Sequence, residues 1–335
     1  MNMVFKDKVV LVTGGTGSCG HQIVRRLLKD EGVRQIRILS RDEKKQYDMK
    51  KEFPDAPIRY FIGDVRNTRR VREVMHGIDI VLHTAAMKHV TFCEEHPFEA
   101  VQTNVLGAQN IIDAAIHENV ERVVALSTDK AVKPVNAMGI TKALMEKLVI
   151  EANYLPRNNS TKFCCVRYGN VVNTRGTVVP FFRHLIKEEK TATITDPKMT
   201  RFLLTLNDAV ELVFYAARNT EGGEIFVKKA SATNLLQLAK ILAKEQGKDL
   251  KYEIIGKFPG EKIHELLLSE DEMARAEERD GFFILKRHKQ TSNLENTDKE
   301  YISKDEVVSD EAIEQLLKRE DAKEDTSSKD TLYFK

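Results

Sequence analysis

At 335 residues the chain is long enough for two domains or for one extended α/β domain with lobes. Its 53 Lys and Arg against 51 Asp and Glu leave a net charge of +2, which excludes a broadly basic nucleic-acid face and a polybasic membrane tether. Any anion must therefore be bound locally.

The longest apolar runs, such as VVLV at 9–12 and IDIVLHTAA at 78–86, fall well short of the about 20 residues that span a bilayer. MNMVFKDK runs straight into a strand pattern without signal-peptide character, so the expected compartment is the cytoplasm. The cysteines Cys19, Cys93, Cys164 and Cys165 lack metal-ligand spacing. No metal site is expected, and Cys164 and Cys165 are expected to pack as small hydrophobes.

Taken in chain order, β-branched runs alternate with helical patterns. KVVLVTG precedes a helix over 18–31, QIRILS a helix over 42–52, and IRYFIGD a helix over 68–76. IDIVLHTA then precedes a long helix over 97–118, RVVALST a helix over 138–152, and KFCCVRYGNV closes the series. The alternation predicts parallel crossovers and a doubly wound Rossmann-type α/β sheet, and the continuous apolar strands predict helices on both faces.

Beyond residue 170 the rhythm loosens into VVPFFRHLIKEE, TATITDPKMTRF, a helix over 207–219, GGEIFVKK and a helix over 233–246. The expected division is a dinucleotide-binding domain over 1–170, completed by parts of 203–230, then a smaller substrate lobe over 171–287. A charged segment follows over 288–335, in which EDAKEDTSSKD at 320–330 reads as a solvated, flexible tail. There is no internal repeat.

TGGTGSCG at 13–20 lies between a predicted strand and a predicted helix, with Gly14, Gly17 and Gly20 spaced for a tight turn against a pyrophosphate at the helix N-terminus. At the end of the second strand, Ser40, Arg41 and Lys44 favour a ribose phosphate and hence NADP, while Asp42 keeps NAD open. Asp64 and Val65 are expected near the adenine. Ala85, Ala86 and Lys88 are expected along the cofactor's mid-section, with a solvated loop charge as the other reading of Lys88.

STDKAVKPVNAMGITK at 127–142 begins at the carboxyl end of a strand, the side on which open parallel sheets bind ligands. Ser127, Thr128, Asp129 and Lys130 therefore enter the cleft with Lys142 from the next helix. There Met138, Lys142, Met145 and Val149 form one stripe, and Ile140, Leu144, Leu148 and Ala152 the other. Two apolar stripes imply a helix covered on both sides, by a second subunit or by the rest of the chain.

Adjacent acid and base in such a cleft suit the dehydration of a sugar nucleotide. Oxidation at carbon 4 acidifies the proton on carbon 5, so a base there and an acid at the 6-hydroxyl can expel water. Lys130 serves as base if burial lowers its pKa, and Asp129 as acid if its surroundings raise its own. A 4-epimerase does not need this pair. Met138 cannot relay a proton, which leaves Thr128 as a hydrogen-bonding candidate at the 4-hydroxyl.

TGGTGSCG, SRDEKK, GDVRN, AAMKHV, TNVLGAQN, STDKAVKP, RYGNVV, RGTVVPFF, ITDPKMTRF, GGEIFV and PGEKIHE together resemble the UDP-N-acetylglucosamine 4,6-dehydratases of the extended short-chain dehydrogenase/reductase superfamily, over roughly residues 4–285. The resemblance implies a lyase that makes a UDP-4-keto-6-deoxy-N-acetylhexosamine with tightly bound, recycled NADP; inversion at carbon 5 is favoured. Asp129 and Lys130 would be acid and base, and Lys142 the lysine at the nicotinamide ribose.

The same resemblance places Thr13, Thr16, Ser18 and Asn104 at the cofactor. It places Lys88, Tyr168, Asn170, Val179, Pro180, Thr193, Arg201 and Glu261 at the sugar nucleotide; a surface salt bridge is the other reading of Arg201. His264 in GEKIHE lacks the second histidine of a zinc motif and reads as structural. Methionine at position 138, where some relatives have tyrosine, matches a branch that makes deoxy-amino-sugar precursors for capsule, flagellin or protein glycans. Many relatives carry the label UDP-glucose 4-epimerase, the nearest rival; a dinucleotide sensor without chemistry is the remote one. The family also implies a homo-oligomer, a dimer or hexamer; some larger relatives carry a membrane module, whereas the charge balance and short apolar runs of this chain predict neither a membrane nor a nucleic-acid partner.

Overall fold

The computed structural model describes residues 3–174, 177–287 and 299–324. Its largest unit is a nine-stranded sheet. The first six strands are β1 (Val9–Thr13), β2 (Gln35–Ser40), β3 (Ile58–Ile62), β4 (Ile80–His83), β5 (Arg122–Leu126) and β6 (Lys162–Arg167). β7 (Glu224–Lys228), β8 (Ala276–Arg279) and β9 (Phe282–Lys286) complete it, in the order 8-9-7-6-5-4-1-2-3. The seven strands from β7 to β3 are parallel, while β9 and β8 add antiparallel at one edge. The doubly wound Rossmann-type fold expected from the alternation is thus observed, with an antiparallel extension that it did not predict.

Strand alternation divides the core between the two faces. Val9, Leu11, Val81, Val123 and Ala125 join one cluster with Met145 and Val149 of the helix Ala137–Glu151. Val10, Val12, Leu82, Val124 and Leu126 join the other, with Ile23 and Leu27 of the helix Ser18–Asp30 and Phe214 of the helix Leu206–Asn219. Cys165 packs on the first face and Cys164 on the second, both fully buried.

Polar residues start these helices where the sequence changes period. Asp42, Asn67 and Asn136 each cap the helix that follows by accepting from a first-turn amide. The expected single helix over 97–118 is a composite. Pro97–Ala100 leads into a wider π turn at Val101–Leu106 before α-helical winding resumes at Gly107–His117.

Beyond β6 a second core gathers Val179, Phe182, Ile186, Ile194, Leu203, Leu238 and Leu242. Ser231–Asn234, Thr200–Leu204 and Asn170–Val171 form a three-stranded sheet. The polar segment after 288 contributes more than its composition suggests. Tyr301–Ile302 pairs antiparallel with Leu266–Leu268, and the helix Asp310–Glu324 buries Ile313 and Leu317 in the second core. Of the stretch expected to be a flexible tail, 320–324 is therefore helical, and 325–330 lies outside the described residues. No helix among the described residues is long and apolar enough to cross a membrane.

Candidate active site at the carboxyl ends of the central strands

The strand order reverses between β1 and β4, and in open α/β sheets the crevice beyond such a reversal takes the ligand. Past Thr13 the chain turns through Gly14 at φ +67. A Cβ at Gly14 would lie 2.9 Å from the Ala85 backbone, and one at Gly20 would lie 2.6 Å from the Gly14 carbonyl, so only glycine permits this packing. The helix Ser18–Asp30 then starts at Gly17 with neither a side-chain cap nor an acidic residue in its first turn. Its open amides and positive dipole end fit a pyrophosphate.

Around the turn, Thr16 donates to Ser40 at 3.0 Å, and Thr13 Oγ1 accepts from Ala85 N at 3.3 Å. Thr13 Oγ1 also lies 2.7 Å from His83 Nδ1. Burial, with Lys142 nearby, pushes the His83 pKa down to about 3, so the imidazole is neutral.

At the end of β2, Arg41 is largely exposed and reaches Asp64 at 3.7 Å. Burial opposes ionisation of Asp64, but hydrogen bonds from Arg66 and the charges of Arg66 and Arg41 hold its carboxyl below the usual range. Asp42 accepts from Lys45 N at 2.9 Å as a helix cap, and Lys44 pairs with Asp48 at 2.6 Å. Val65 is a core residue against which Gly107 packs. Ala86 is half-buried and Lys88 exposed on the loop after β4. Asn104, in the π turn, accepts from Met87 N at 2.8 Å and donates to Met87 O and Thr141. Both ends of its amide thus hold the loop at Met87, and the nitrogen alone links it to the helix Ala137–Glu151 through Thr141.

Past β5 the backbone continues the sheet briefly, Ser127 N to Val166 O and Asp129 N to Tyr168 O, before a 3-10 turn at Asp129–Ala131. Asp129 is fully buried: Oδ1 accepts from Thr128 Oγ1 at 2.8 Å and from Lys130 Nζ at 3.0 Å. Asp129 Oδ2 has no hydrogen-bond partner among the described residues. Lys130 Nζ also lies 3.5 Å from Glu265 Oε1.

Here the structure corrects an expectation. Burial alone would lower the Lys130 pKa, but the Asp129 and Glu265 carboxylates outweigh it and hold the ammonium above its ordinary value. Lys142 behaves oppositely. Desolvation pushes its pKa down to about 8, and Nζ donates to Leu126 O at 2.7 Å. Met138 packs with Cys93, Ala100, Met87 and Val90.

The expected substrate-side residues divide by burial. Asn170 stands at the cleft end of its strand with Oδ1 buried and unbonded among the described residues. Tyr168 directs its hydroxyl to Cys19 Sγ at 3.9 Å. Val179 lies in the second core, so only its backbone and that of Pro180 at the start of the helix Val178–Lys187 remain for a ligand. Thr193 is half-buried in the strand Ala192–Ile194. Arg201 is buried rather than a surface charge, donating to Thr200 O at 2.8 Å and Ile263 O at 3.2 Å and lying 3.9 Å from Glu265. Glu261 accepts from Phe258 N at 3.1 Å within its own loop, and His264 Nδ1 meets Thr200 Oγ1 at 2.9 Å.

Glu265, Lys262 and Gly139 are the residues that sequence reasoning passed over. Glu265 and Lys262 lie inside the quoted PGEKIHE, but a charge in a loop pattern does not disclose burial. Gly139 packs so closely that a Cβ would lie 2.2 Å from Lys130 O.

A family model described as polysaccharide biosynthesis protein matches residues 10–287. The chain belongs to this family. Its relatives include a protein named UDP-glucose 4-epimerase from Rickettsia felis, 47% identical over 84% of this chain and 83% of the relative. A protein of the same name from Rickettsia canadensis is 48% identical over the same shares. Among solved structures, Pen from Bacillus thuringiensis matches with a TM-score of 0.88 and 41% identity, covering 95% of this chain and 99% of that one. DesIV, a dTDP-glucose 4,6-dehydratase from Streptomyces venezuelae solved with NAD and TYD, matches at a TM-score of 0.70 and 20% identity, over 76% of this chain and 86% of its own. The chain thus shares the parallel Rossmann-type fold of these solved structures.

Proposed function

We propose that this protein is an NADP-dependent lyase converting UDP-N-acetylglucosamine to a UDP-4-keto-6-deoxy-N-acetylhexosamine. The observation that carries this reading is the buried Asp129–Lys130 contact of 3.0 Å in the cleft, with the second Asp129 oxygen free of hydrogen bonds among the described residues. When bound, the dinucleotide supplies reversible hydride transfer at carbons 4 and 6. The protein supplies the proton transfers.

At rest Lys130 and Asp129 form an ammonium–carboxylate pair. One proton moved along their contact produces the amine and the carboxylic acid that elimination requires, without exchange with bulk water. The amine takes the proton on carbon 5, and that C–H electron pair becomes the C5–C6 double bond. The 6-hydroxyl departs as water with the proton of Asp129, and Lys130, whose ammonium hydrogens exchange with solvent, later delivers one of them to carbon 5. Thr128 is assigned to hold the 4-hydroxyl and Lys142 the nicotinamide ribose.

Gly14, Gly17 and Gly20 are assigned to the pyrophosphate, and Arg41 and Lys44 to a ribose phosphate. The use of Asp42 as a helix cap supports NADP over NAD. Asn104 is assigned to hold the loop after β4 in place. Arg201, with Asn170 and the backbone at Val179 and Pro180, is assigned to the sugar nucleotide, so residues 171–287 act mainly as the substrate lobe. The exposed Ile140 and Leu144, one helical turn apart, support self-association through this helix.

A UDP-sugar 4-epimerase is the second reading, favoured by the names of the Rickettsia relatives. It shares oxidation at carbon 4 but expels no water. The test identifies the bound dinucleotide by mass, then incubates the purified protein with UDP-N-acetylglucosamine in heavy water and follows the sugar by NMR. A new methyl signal with deuterium at carbon 5, and NADP as the bound nucleotide, are expected. A gluco/galacto mixture without a methyl signal would replace the lyase by the epimerase.

A further inference from the structure

The Lys130 ammonium is held between two carboxylates, and one of them comes from more than a hundred residues away. Glu265 is almost fully buried. Its Oε1 lies 3.5 Å from Lys130 Nζ and 3.9 Å from Arg201 Nε, and its Oε2 lies 3.8 Å from Lys262 Nζ. Oε2 makes no hydrogen bond among the described residues. The backbone is fixed independently: Glu265 N donates to Ser303 Oγ at 2.9 Å, and Ser303 is bonded in turn to Thr200 at 2.7 Å. A carboxylate so deeply buried is costly to keep unless charges surround it. It is therefore a built feature of the cluster Asp129, Lys130, Arg201, Lys262 and Glu265.

We infer that Glu265 is a positioning residue for Lys130, holding its Nζ against Asp129 and stabilising the ammonium as it forms in the elimination step. This rests on the lyase reading. When the Lys130 amine takes the proton from carbon 5, positive charge appears on Nζ while the leaving hydroxyl consumes the proton of Asp129. The Glu265 charge favours that product state and restrains a flexible four-carbon stem. The groups facing Lys130 are Asp129 on its own turn, Glu265, Arg201 from the strand Thr200–Leu204, and Lys262 from the loop before Glu265. Two of them are cations, so removing Glu265 leaves a single carboxylate against both.

The test compares wild type with Glu265→Gln and Glu265→Asp, each first shown to bind NADP. Single-turnover elimination is followed across pH as formation of the methyl product, and carbon 4 oxidation as appearance of reduced dinucleotide. For Glu265→Gln, oxidation should persist while elimination slows about tenfold or more. Its pH midpoint should fall by about one unit, because a base without its second carboxylate gives up its proton more readily. Glu265→Asp should move the midpoint back towards wild type. Elimination by Glu265→Gln at the wild-type rate, or slowed with an unchanged midpoint, overturns the inference. A wild-type protein that forms no methyl product instead overturns the lyase reading beneath it.

Discussion

Lys142 and Lys130 show how position, rather than residue type, sets charge. Lys142 projects into the sheet interface, where Leu126 O and Met145 Sδ are its hydrogen-bond partners. Desolvation without a contacting carboxylate lowers its pKa to about 8. The unfolded chain therefore binds a proton between pH 8 and 10.5 that the folded chain does not, so folding stability rises with pH across that window. Denaturant titrations should show the wild type gaining about 2 kcal/mol relative to Lys142→Met between pH 7 and 10. Equal pH profiles for the two proteins would contradict the depressed value. Lys130 is buried as well, yet lies between Asp129 and Glu265, so its charge is retained instead.

At the scale of elements, the helix Ala137–Glu151 and the 3-10 turn Asp129–Ala131 fit as one piece. Asn136 caps the helix through Gly139 N at 2.8 Å and donates to Gly260 O at 2.8 Å, tying the loop before Glu261 to the same corner. Gly139 is the point of closest approach, with a Cβ position 2.2 Å from Lys130 O. Alanine there improves helix propensity by about 1 kcal/mol but must push the Lys130 backbone aside. Gly139→Ala is expected to lose turnover by about tenfold or more while unfolding within about 2 kcal/mol of wild type, as read by steady-state rates and urea melts. A variant of unchanged activity would show that the turn tolerates displacement. On the inner side of the helix, Arg167 bridges Glu146 at 2.7 Å and Glu272 at 2.8 Å, both within the protein, and so locks β6 to the segment that follows Glu265.

For the whole molecule, the outer stripe of that helix matters most. Met138, Met145 and Val149 are buried as the inner stripe requires, whereas Ile140 is 54% and Leu144 48% exposed; Leu148 is half-buried and Ala152 buried. Among the described residues nothing covers Ile140 and Leu144, an exposure that bears on the proposed self-association. Leu144→Glu should shift the protein to a smaller species in sedimentation without loss of the fold; an unchanged species would exclude this helix as the contact. The chain's own pattern determined the parallel αβ alternation, the glycine turn and the place of Asp129 and Lys130 at a strand end, because local period, turn chemistry and strand ends are written in neighbouring residues. Tertiary structure alone decided the antiparallel edge, the π turn at Asn104, the docking of 299–324 and the sign of the Lys130 shift. Each depends on partners far apart in the chain: a strand edge that needs covering, a loop held by Asn104, and Glu265 brought beside Lys130. Burial and the distance between charges are properties of the folded arrangement, so a lysine that reads as a lowered-pKa base in its own motif becomes an ammonium when a distant carboxylate closes on it.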